Sequence, residues 1–351
     1  KINIQEKTVL VTGAGGSIGS ELCRQIITLK PKKLILFDVS ESSLYQIEQE
    51  INQKLSENIK IYAILGTVLD KTRLTKILNK FKVETIYHAA AYKHVPIVEY
   101  NQEQGVLNNS IGTMRLAEAA IAANVDTFVL ISTDKAVRPS STMGASKRIA
   151  ELVLQAFSKE NNSTNFTIVR FGNVLDSSGS VIPLFKKQIK DGGPITVTDI
   201  NIVRYFMTIP EAVELVIQAG AMGRGGDVFV LNMGQPIKIY DLALKMIRLS
   251  GLQVLNEDNP NGDIEIKCTG LRPGEKLYEE LLVGDNSFQT ENKLIIRASE
   301  DMLSWKKLEP MIVDLEAAIK SSNQLLIRET LLQIVPEFHP QSKILDYLSK
   351  D

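Results

Sequence analysis

Residues 8–29, TVLVTGAGGSIGSELCRQIITL, contain the strongest structural signal in the chain. Residues 8–12 are an unbroken apolar and β-branched run, which predicts a buried strand. Glycines follow at Gly13, Gly16 and Gly19, as required where a chain turns sharply and its backbone must approach an anion closely. A helix is predicted from Ser17, because apolar residues recur at helical spacing at Ile18, Leu22, Ile26 and Leu29.

The alternation of strand and helix continues through the first half of the chain. Further strands are predicted at 33–38, 61–65, 85–88, 127–132 and 167–171. The helices between them are predicted around 44–51, at 73–81, from about Gly105 to Ala123 and from near Met143. This order predicts an α/β fold with a doubly wound parallel sheet and right-handed crossovers.

Asp38 ends the second predicted strand, downstream of the glycine loop. A carboxylate at this place accepts hydrogen bonds from a ribose diol and repels a 2′-phosphate. The strand, glycine loop and helix before it distinguish this aspartate from an ordinary loop acid. The sequence therefore predicts NAD as the cofactor in preference to NADP.

The pattern divides the chain into three parts. Residues 1–173 are predicted to form a Rossmann-type NAD-binding domain, to which residues 208–235 return through a strand at Phe229–Asn232. After Gly172, segments rich in glycine, proline and aspartate interrupt the alternation, so residues 174–300 are predicted to form mainly a smaller substrate lobe. Residues 301–351 are predicted to be a helical C-terminal segment.

The fifth predicted strand ends in Ser132-Thr133-Asp134-Lys135, and a helix follows that carries Lys147. Ligands bind at this end of the strands in such a sheet. Lys147, one turn into the helix, is placed to hydrogen-bond a nicotinamide ribose, and its charge favours deprotonation of a nearby hydroxyl. Two alternatives stay open. In one, Lys147 is an ordinary solvated helix lysine, and in the other, Asp134 and Lys135 form a purely structural ion pair.

Five further blocks are AAYKHVP at 90–96, STDKA at 132–136, RFGNV at 170–174, RYFM at 204–207 and RPGEK at 272–276. With the glycine loop they resemble the extended short-chain dehydrogenase/reductases and, more narrowly, the bacterial UDP-N-acetylglucosamine 4,6-dehydratases. The resemblance runs from about Lys7 to Leu282. It implies an NAD-dependent hydro-lyase of polysaccharide biosynthesis that acts on UDP-N-acetylglucosamine.

The resemblance implies an internal redox reaction. Hydride leaves sugar C4 to give a 4-ketone, water leaves across C5 and C6, and hydride returns to C6, so NAD is regenerated at each turnover. Lys135 is then the base at C5 and Asp134 the acid at C6, with Thr133 and Lys147 assisting oxidation at C4. The division of roles between Asp134 and Lys135 stays open.

Two positions depart from the superfamily pattern. The superfamily normally carries tyrosine four residues before the catalytic lysine, and here that residue is Met143, whose thioether has no proton to exchange. The sugar-retaining branch of these dehydratases is similar, because it carries methionine there and relies on the Thr-Asp-Lys trio. At Thr67-Val68 the family more often has an acidic residue near the adenine.

The predicted binding residues come partly from the glycine loop and strand ends and partly from the resemblance. The predicted cofactor contacts are Gly13, Gly15, Gly16, Ser17, Ile18, Gly19, Asp38, Ser40, Thr67, Val68, Ala89, Ala90, Ala91, Lys147, Phe171 and Asn173. The predicted substrate contacts are Lys93, His94, Thr133, Asn173, Ser180, Val181, Arg204, Met207, Arg272 and Glu275. Among them the guanidinium forks of Arg204 and Arg272 match diphosphate oxygens.

Two other functions stay open. A nucleotide-sugar 4-epimerase on the same scaffold needs the tyrosine base and no elimination acid, so Met143 and the Asp134–Lys135 pair count against it. A non-catalytic protein that binds NAD and a nucleotide sugar would keep the fold, since fold does not fix function. Such a protein needs no acid–base pair, which counts against this alternative.

Two predicted helices carry apolar residues on more than one face, near 105–123 and 143–157. The resemblance implies that two such helices pair across a dimer. A homodimer or a higher homo-oligomer is therefore predicted.

Composition excludes several classes of protein. Forty basic and 41 acidic residues give a net charge of -1, which argues against nucleic-acid binding. Two cysteines and three scattered histidines predict no metal site and fit a cytoplasmic location. No apolar run is long enough to span a bilayer, so no membrane contact is predicted for this chain. The alternative, the soluble part of a membrane-anchored protein facing the cytoplasm, stays open.

Overall fold

A large, mostly parallel sheet forms the centre of the fold. The computed structural model describes residues 2–54, 59–160, 163–280, 287–300 and 302–348, and Leu282, where the resemblance ends, lies outside these ranges. In the described residues nine strands form the main sheet. They are β1 (Thr8–Thr12), β2 (Lys33–Asp38), β3 (Lys60–Leu65), β4 (Thr85–His88), β5 (Thr127–Thr133), β6 (Asn165–Phe171), β11 (Asp227–Leu231), β15 (Ser287–Gln289) and β16 (Ile295–Ala298).

The strand order is β15-β16-β11-β6-β5-β4-β1-β2-β3, so β1 lies between β2 and β4 and the order reverses there. All pairs from β3 to β11 are parallel, whereas β16 runs antiparallel to both β11 and β15. This is the predicted doubly wound α/β fold, which is confirmed. In such sheets a crevice opens outside the carboxyl ends of the strands at the reversal.

Helices cover both faces of the sheet. They are α1 (Ser17–Thr28), α2 (Glu41–Gln53), α3 (Lys71–Phe81), α4 (Val95–Glu99), α5 (Gln102–Val106), α6 (Gly112–Ala122), α7 (Thr142–Glu160), α9 (Ile209–Met222), α11 (Trp305–Lys320) and α12 (Gln324–Ile334). Two hydrophobic clusters lie on the two sides of the sheet, one around Leu10 and Phe128 and one around Val9 and Val129. Alternate residues of one strand thus enter opposite clusters, as the pleat of a strand buried on both faces requires. None of the helices within the described ranges is long and apolar enough to cross a membrane.

The helix predicted from Gly105 to Ala123 differs from the expected continuous α-helix. It begins earlier, at Gln102, and contains a π-helical turn at Leu107–Ile111 between α5 and α6. The Asn109 side chain accepts a hydrogen bond from the backbone N–H of Tyr92 at 2.8 Å and donates one to the Tyr92 carbonyl at 2.9 Å. A wider turn is often found beside functional sites, and here it fixes the segment after β4.

A smaller lobe follows β6. It contains β8 (Ile195–Val197), β13 (Val254–Leu255) and β14 (Ile264–Cys268) in one sheet, the short strands β7 (Asn173–Val174), β9 (Val203–Arg204), β10 (Phe206–Met207) and β12 (Ile237–Lys238), and the helices α8 (Val181–Lys190) and α10 (Ile239–Leu249). A separate apolar cluster around Phe185 and Ile247 holds α8, α10 and the three-stranded sheet together. Residues 287–298, assigned to this lobe by sequence, instead extend the edge of the main sheet as β15 and β16.

The C-terminal helices α11 and α12 pack on α7 and complete the main core. Leu308 and Leu315 of α11 and Leu331 of α12 are fully buried in the same cluster as Ala150 and Leu154 of α7. The α7 residues from Thr142 to Phe157 are all buried. The apolar face of α7, one of the two helices from which a dimer was predicted, is therefore covered within the chain and gives no support for a dimer.

Leu331→Ala should lower the free energy of unfolding by about 2–5 kcal/mol, because it leaves a cavity beneath α12. Leu331 is 0% exposed, whereas Leu325 in the same helix is 67% exposed. Leu325→Ala is the matched control and should change stability by about 0.5 kcal/mol or less. Urea unfolding measures both, and equal losses would contradict the packing of α12 on the core.

Candidate active site

A cavity of about 900 Å³ lies between the carboxyl ends of the central strands and the smaller lobe. Its wall contains most of the residues predicted to bind cofactor or substrate. These are Gly13, Gly16, Ser17, Ile18, Gly19, Ala89, Ala91, Lys93, His94, Thr133, Lys135, Met143, Lys147, Phe171, Asn173, Ser180, Val181, Arg204, Arg272 and Glu275. The fold therefore brings together residues that are more than 200 positions apart in sequence.

The glycine loop forms one end of the cavity. Gly13 has a φ of +66°, and a Cβ on it would lie 2.7 Å from the backbone N of Ala90. A Cβ on Gly19 would lie 1.9 Å from the carbonyl oxygen of Gly13. Gly16 precedes α1 and supplies no side-chain cap, so the first backbone N–H groups of α1 remain available to an anion. The loop fits the diphosphate of a dinucleotide.

Asp38 lies behind the glycine loop rather than on the cavity wall. Its carboxylate accepts hydrogen bonds from the backbone N–H groups of Gly15 and Ser40, each at 2.8 Å. Gly15 has no room for a side chain, because a Cβ would lie 2.4 Å from the Cβ of Ser43. Asp38 thus orients the loop and keeps a negative charge beside it.

Several predicted contacts lie off the cavity wall. The side chains of Val68 and Met207 are buried in the two hydrophobic clusters, so only their backbone groups could contact a ligand. Thr67 accepts a hydrogen bond from the backbone N–H of Leu69 at 3.3 Å and shapes the turn before α3. Ala90 also lies off the wall, where it contacts the glycine loop from behind. Met207 was predicted as a substrate contact from the resemblance alone, and a buried methionine is more often a packing residue.

Thr133, Asp134 and Lys135 form a hydrogen-bonded chain at the end of β5. The Thr133 hydroxyl donates to Oδ1 of Asp134 at 2.9 Å, and the Lys135 ammonium donates to the same oxygen at 2.9 Å. The other carboxylate oxygen, Oδ2, is buried and has no hydrogen-bond partner among the described residues. Asp134 itself is off the cavity wall, so it reaches the cavity through Thr133 and Lys135, which line it.

Lys135 lies between two carboxylates. Its Nζ is 2.9 Å from Asp134 and 3.5 Å from Oε1 of Glu279, and it donates a longer bond of 3.4 Å to Oδ1 of Asn173. Burial favours the neutral amine, but the charges of Asp134 and Glu279 outweigh it and hold the pKa of Lys135 above its ordinary value. Lys135 is therefore an ammonium at neutral pH in the free protein.

Lys147 has the opposite environment. Its Nζ donates to the carbonyl oxygen of Ile131 at 2.7 Å, and burial lowers its pKa to about 8 although the charge of Glu151 opposes this. Met143, one turn earlier in α7, lines the cavity with its thioether. A lysine whose pKa lies near neutrality can change protonation state during turnover, which its methionine neighbour cannot.

A buried ionic network lies behind the catalytic candidates and was missed by sequence reasoning. Glu151 accepts a hydrogen bond from the Ser132 hydroxyl at 2.6 Å and from Nε of Arg170 at 2.8 Å. Arg170 also pairs with Glu300. Burial opposes the charge of Glu151, but Arg170 outweighs it and holds the pKa of Glu151 at about 2. The network ties β5, β6 and α7 together directly below Thr133.

Lys93 and His94 lie on the cavity wall after β4. The His94 ring packs against Gly179, where a Cβ would lie 2.4 Å from the ring Cε1. Burial lowers the pKa of both side chains, and the charge of Lys93 adds to the effect on His94. His94 is therefore mostly neutral at neutral pH. Its packing against the Ser177–Ser180 turn makes it a wall residue and gives no support for it as a base.

The two arginines predicted to bind diphosphate differ. The Arg204 guanidinium donates to the carbonyl oxygens of Val203 and Lys276, each at 2.7 Å, and to that of Leu277 at 3.2 Å. Its donors are largely used to hold the chain, although Arg204 also lines the cavity. Arg272 is exposed at the cavity, and its guanidinium forms no hydrogen bond or ion pair with the described residues. The donors of Arg272 are therefore the ones that these residues leave unused.

Glu279 and Ser180 both lie at the cavity, but only Ser180 was predicted from the sequence. Glu279 lines the cavity and contacts Lys135, yet sequence reasoning missed it because it is one of several acids in a loop-like segment. Ser180 was predicted, and its hydroxyl is buried without a partner among the described residues, as expected of a ligand contact. Across the described ranges no group of three or more metal-binding side chains is found.

Comparisons with known proteins agree with this geometry. A family model described as polysaccharide biosynthesis protein matches residues 9–300. The capsular polysaccharide biosynthesis protein CapD of Staphylococcus aureus is 54% identical over 279 residues, which are 80% of this chain and 45% of CapD. The chain thus spans about half the length of that relative.

Two relatives with assigned activities are more distant. The UDP-N-acetylglucosamine 4,6-dehydratase (inverting) of Campylobacter jejuni is 31% identical over 289 residues, 81% of this chain and 80% of that protein. A UDP-glucose 4-epimerase of Rickettsia rickettsii is 30% identical over 292 residues, 82% and 81% of the two chains. The solved structure of Pen from Bacillus thuringiensis is 33% identical, covers 89% of this chain and 98% of its own, and superposes with a TM-score of 0.75.

The depressed pKa of Lys147 predicts a pH-dependent contribution to stability. The folded protein disfavours the charged lysine, so Lys147 destabilises the fold below about pH 8, and this penalty disappears as the pH rises towards the unfolded value of 10.5. The unfolding free energy of the wild type relative to Lys147→Met should therefore rise by about 2 kcal/mol between pH 7.5 and pH 10. Urea unfolding at the two pH values measures it. Lys159→Met, at an exposed lysine of α7, is the control, and its difference in unfolding free energy from the wild type should not change with pH. If the difference for Lys147→Met does not change either, the lowered pKa of Lys147 is contradicted.

Proposed function

Because the chain belongs to the polysaccharide biosynthesis protein family, we propose that it is an NAD-dependent UDP-N-acetylglucosamine 4,6-dehydratase. Its product is a UDP-4-keto-6-deoxy sugar. The observation that carries the proposal is the hydrogen-bonded chain of Thr133, Asp134 and Lys135 at the cavity, with Met143 where a tyrosine base would stand. The 31% identity with a UDP-N-acetylglucosamine 4,6-dehydratase supports the substrate class.

The cofactor site supports NAD. The glycine loop has no room for side chains at Gly13 and Gly19, and Asp38 places a carboxylate beside it that would repel a 2′-phosphate. Lys147, Phe171 and the strand ends at Ala89 and Ala91 complete this side of the cavity. NAD bound there would supply the hydride acceptor for C4 and the hydride donor for C6.

Thr133 and Asp134 replace the missing tyrosine in oxidation at C4. The Thr133 hydroxyl faces the cavity and donates to Asp134 at 2.9 Å, so it can take the C4 hydroxyl proton while passing its own proton to Asp134. Lys147, charged below about pH 8, stabilises the oxygen at C4 as its proton leaves. Met143 takes no part in proton transfer and only fills the wall.

Asp134 and Lys135 then carry out the elimination. The 4-ketone acidifies the proton on C5. Lys135, which must first lose its ammonium proton to solvent because its pKa is raised, removes the C5 proton as the neutral amine. Asp134, protonated in the first step, gives its proton to the C6 hydroxyl, which leaves as water. Hydride then reaches C6, and the Lys135 ammonium returns a proton to C5. Each group is back in its starting state, and the net loss is one water.

The nucleotide half of the substrate lies towards the smaller lobe. Arg272 offers an unpaired guanidinium for the diphosphate, and the buried Ser180 hydroxyl offers a further donor. Glu275 fixes the loop by accepting a hydrogen bond from the backbone N–H of Arg272 at 3.1 Å. Asn173, Lys93, His94 and Val181 are placed to line the sugar.

A 4-epimerase is the second candidate, favoured by the 30% identity with a UDP-glucose 4-epimerase. It needs a base at C4 but neither an acid at C6 nor a base at C5, so the Asp134–Lys135 pair would have no use. The homo-oligomer and the cytoplasmic location also stay predictions. The face of α7 no longer supports the homo-oligomer, because it is buried within the chain.

Asp38→Asn should reduce the preference for NAD over NADP, because it removes the charge that repels a 2′-phosphate. The dissociation constant for NADP divided by that for NAD should fall by about tenfold, equivalent to about 1.4 kcal/mol. Glu41→Gln removes a charge from the exposed start of the next helix and should change the ratio much less. Calorimetric titration of both variants with both cofactors measures this, and equal effects would contradict the role of Asp38.

Incubation with UDP-N-acetylglucosamine tests the function directly. We expect mass spectrometry to show loss of one water without consumption of added NAD, and Asp134→Asn to slow this at least about 100-fold. Asp126→Asn is the matched control, because Asp126 forms an ion pair with Lys7 at 2.8 Å but is 57% exposed beyond the other end of β5. An unchanged mass with a second hexosamine epimer would favour the epimerase, and no change at all would refute both.

A further inference from the structure

Glu279 is a buried carboxylate on the cavity wall that the mechanism above does not use. Its side chain is 3% exposed, and its Oε1 lies 3.5 Å from Nζ of Lys135 and 3.9 Å from Nε of Arg204. Its other oxygen, Oε2, is buried and has no hydrogen-bond partner among the described residues. A carboxylate is placed in such surroundings only when nearby cations offset the loss of hydration.

The fold holds Glu279 at this place from both sides. Arg204 donates to the carbonyl oxygens of Lys276 and Leu277, and the backbone N–H of Val203 donates to Leu277 at 3.1 Å. On the other side the Lys276 ammonium donates to the carbonyl oxygen of Val137 at 3.1 Å, two residues after Lys135. The segment that carries Glu279 therefore bridges the smaller lobe and the end of β5.

Asp134, Glu279 and Arg204 are the charged groups that act on Lys135. Asp134 cannot be a constant counter-ion in the proposed cycle, because it gains a proton through Thr133 and gives it to the C6 hydroxyl. Glu279 has no hydrogen bond to Thr133 and lies outside the path by which the proton from C4 reaches Asp134. When Asp134 is neutral, Glu279 is the carboxylate left to hold the amine.

We propose that Glu279 is a positioning residue that holds Lys135 towards C5 and sets the pH at which Lys135 becomes a base. This inference rests on the proposed dehydratase function and deepens it. A negative charge at 3.5 Å stabilises the ammonium that forms when the C5 proton arrives. It also raises the pH at which the resting ammonium of Lys135 loses its proton and can enter the cycle, so Glu279 links base strength to pH.

The test compares Glu279→Gln with Glu279→Asp and Glu280→Gln over a range of pH. The rate of dehydration should rise with pH in the wild type, as Lys135 loses its proton. In Glu279→Gln the rise should move to lower pH and the maximal rate should fall about tenfold or more, because Lys135 is then a weaker base. Glu279→Asp keeps the charge and should restore the position of the profile.

Glu280→Gln is the matched control. Glu280 is the next residue and pairs with Arg138 at 2.7 Å, but it lies off the cavity and should leave the profile unmoved. A Glu279→Gln profile that falls in height without moving along the pH axis would overturn the proposal, because a merely structural role predicts that result. Equal shifts in both glutamine variants would overturn it as well.

A second readout separates this inference from the function on which it rests. Acetylation of Lys135 by acetic anhydride, followed by mass spectrometry as a function of pH, reports its protonation without any turnover. Labelling should begin at lower pH in Glu279→Gln than in the wild type or in Glu280→Gln. If the labelling shifts as expected but the wild type forms no dehydrated product, the proposed function is wrong and the effect of Glu279 on Lys135 still holds. If dehydration occurs but labelling does not shift, the role of Glu279 fails alone.

Discussion

The reversal of strand order between β1 and β4 is the constraint on which the rest of the site depends. The chain leaves these two strands towards opposite faces of the sheet, so a crevice opens at their carboxyl ends. The glycine loop follows β1, Ala89 follows β4, and the Thr133–Lys135 turn follows the neighbouring β5. The loop lies so close to the segment after β4 that a Cβ on Gly13 would be 2.7 Å from the backbone N of Ala90. One topological feature thus brings the anion-binding loop beside the proposed acid and base.

Buried charge is the second requirement of this site. Two clusters of acids and bases lie at and below the end of β5, and removing such groups from water costs several kcal/mol for each ion. The members are Asp134, Lys135, Glu279 and Arg204 in one cluster and Glu151, Arg170, Glu300 and Arg148 in the other. Apolar residues of similar size would stabilise the fold as well or better. The lower cluster fixes the position of β5 against α7, and the upper one holds Lys135 against Asp134 and Glu279 at the cavity.

Much of the main sheet could be predicted from the sequence, whereas the precise lining of the site could not. Strands β1 to β6 match their predicted ranges to within two residues, because buried parallel strands are short apolar runs between glycine-rich turns. The backbone contacts of Arg204 could not be predicted, because sequence does not show which carbonyl oxygens a guanidinium will meet. Glu279 could not be found because its contact with Lys135 depends on a bridge between the two lobes. The last helices were predicted as helices, but not their packing on α7, since an amphipathic pattern does not name its partner.

The packing of α11 and α12 on α7 has a consequence for how the chain is made. Among the elements that pack on the helix carrying Lys147, α11 and α12 come last in sequence, from Trp305 onwards. At about 5–20 residues per second, a ribosome needs about 3–10 seconds to add the roughly fifty residues that carry α11 and α12, and until then the side of α7 that they cover is exposed. The nascent chain therefore carries exposed apolar surface after the strands of the parallel sheet have been made. Chaperone binding at this stage is the expected protection against aggregation.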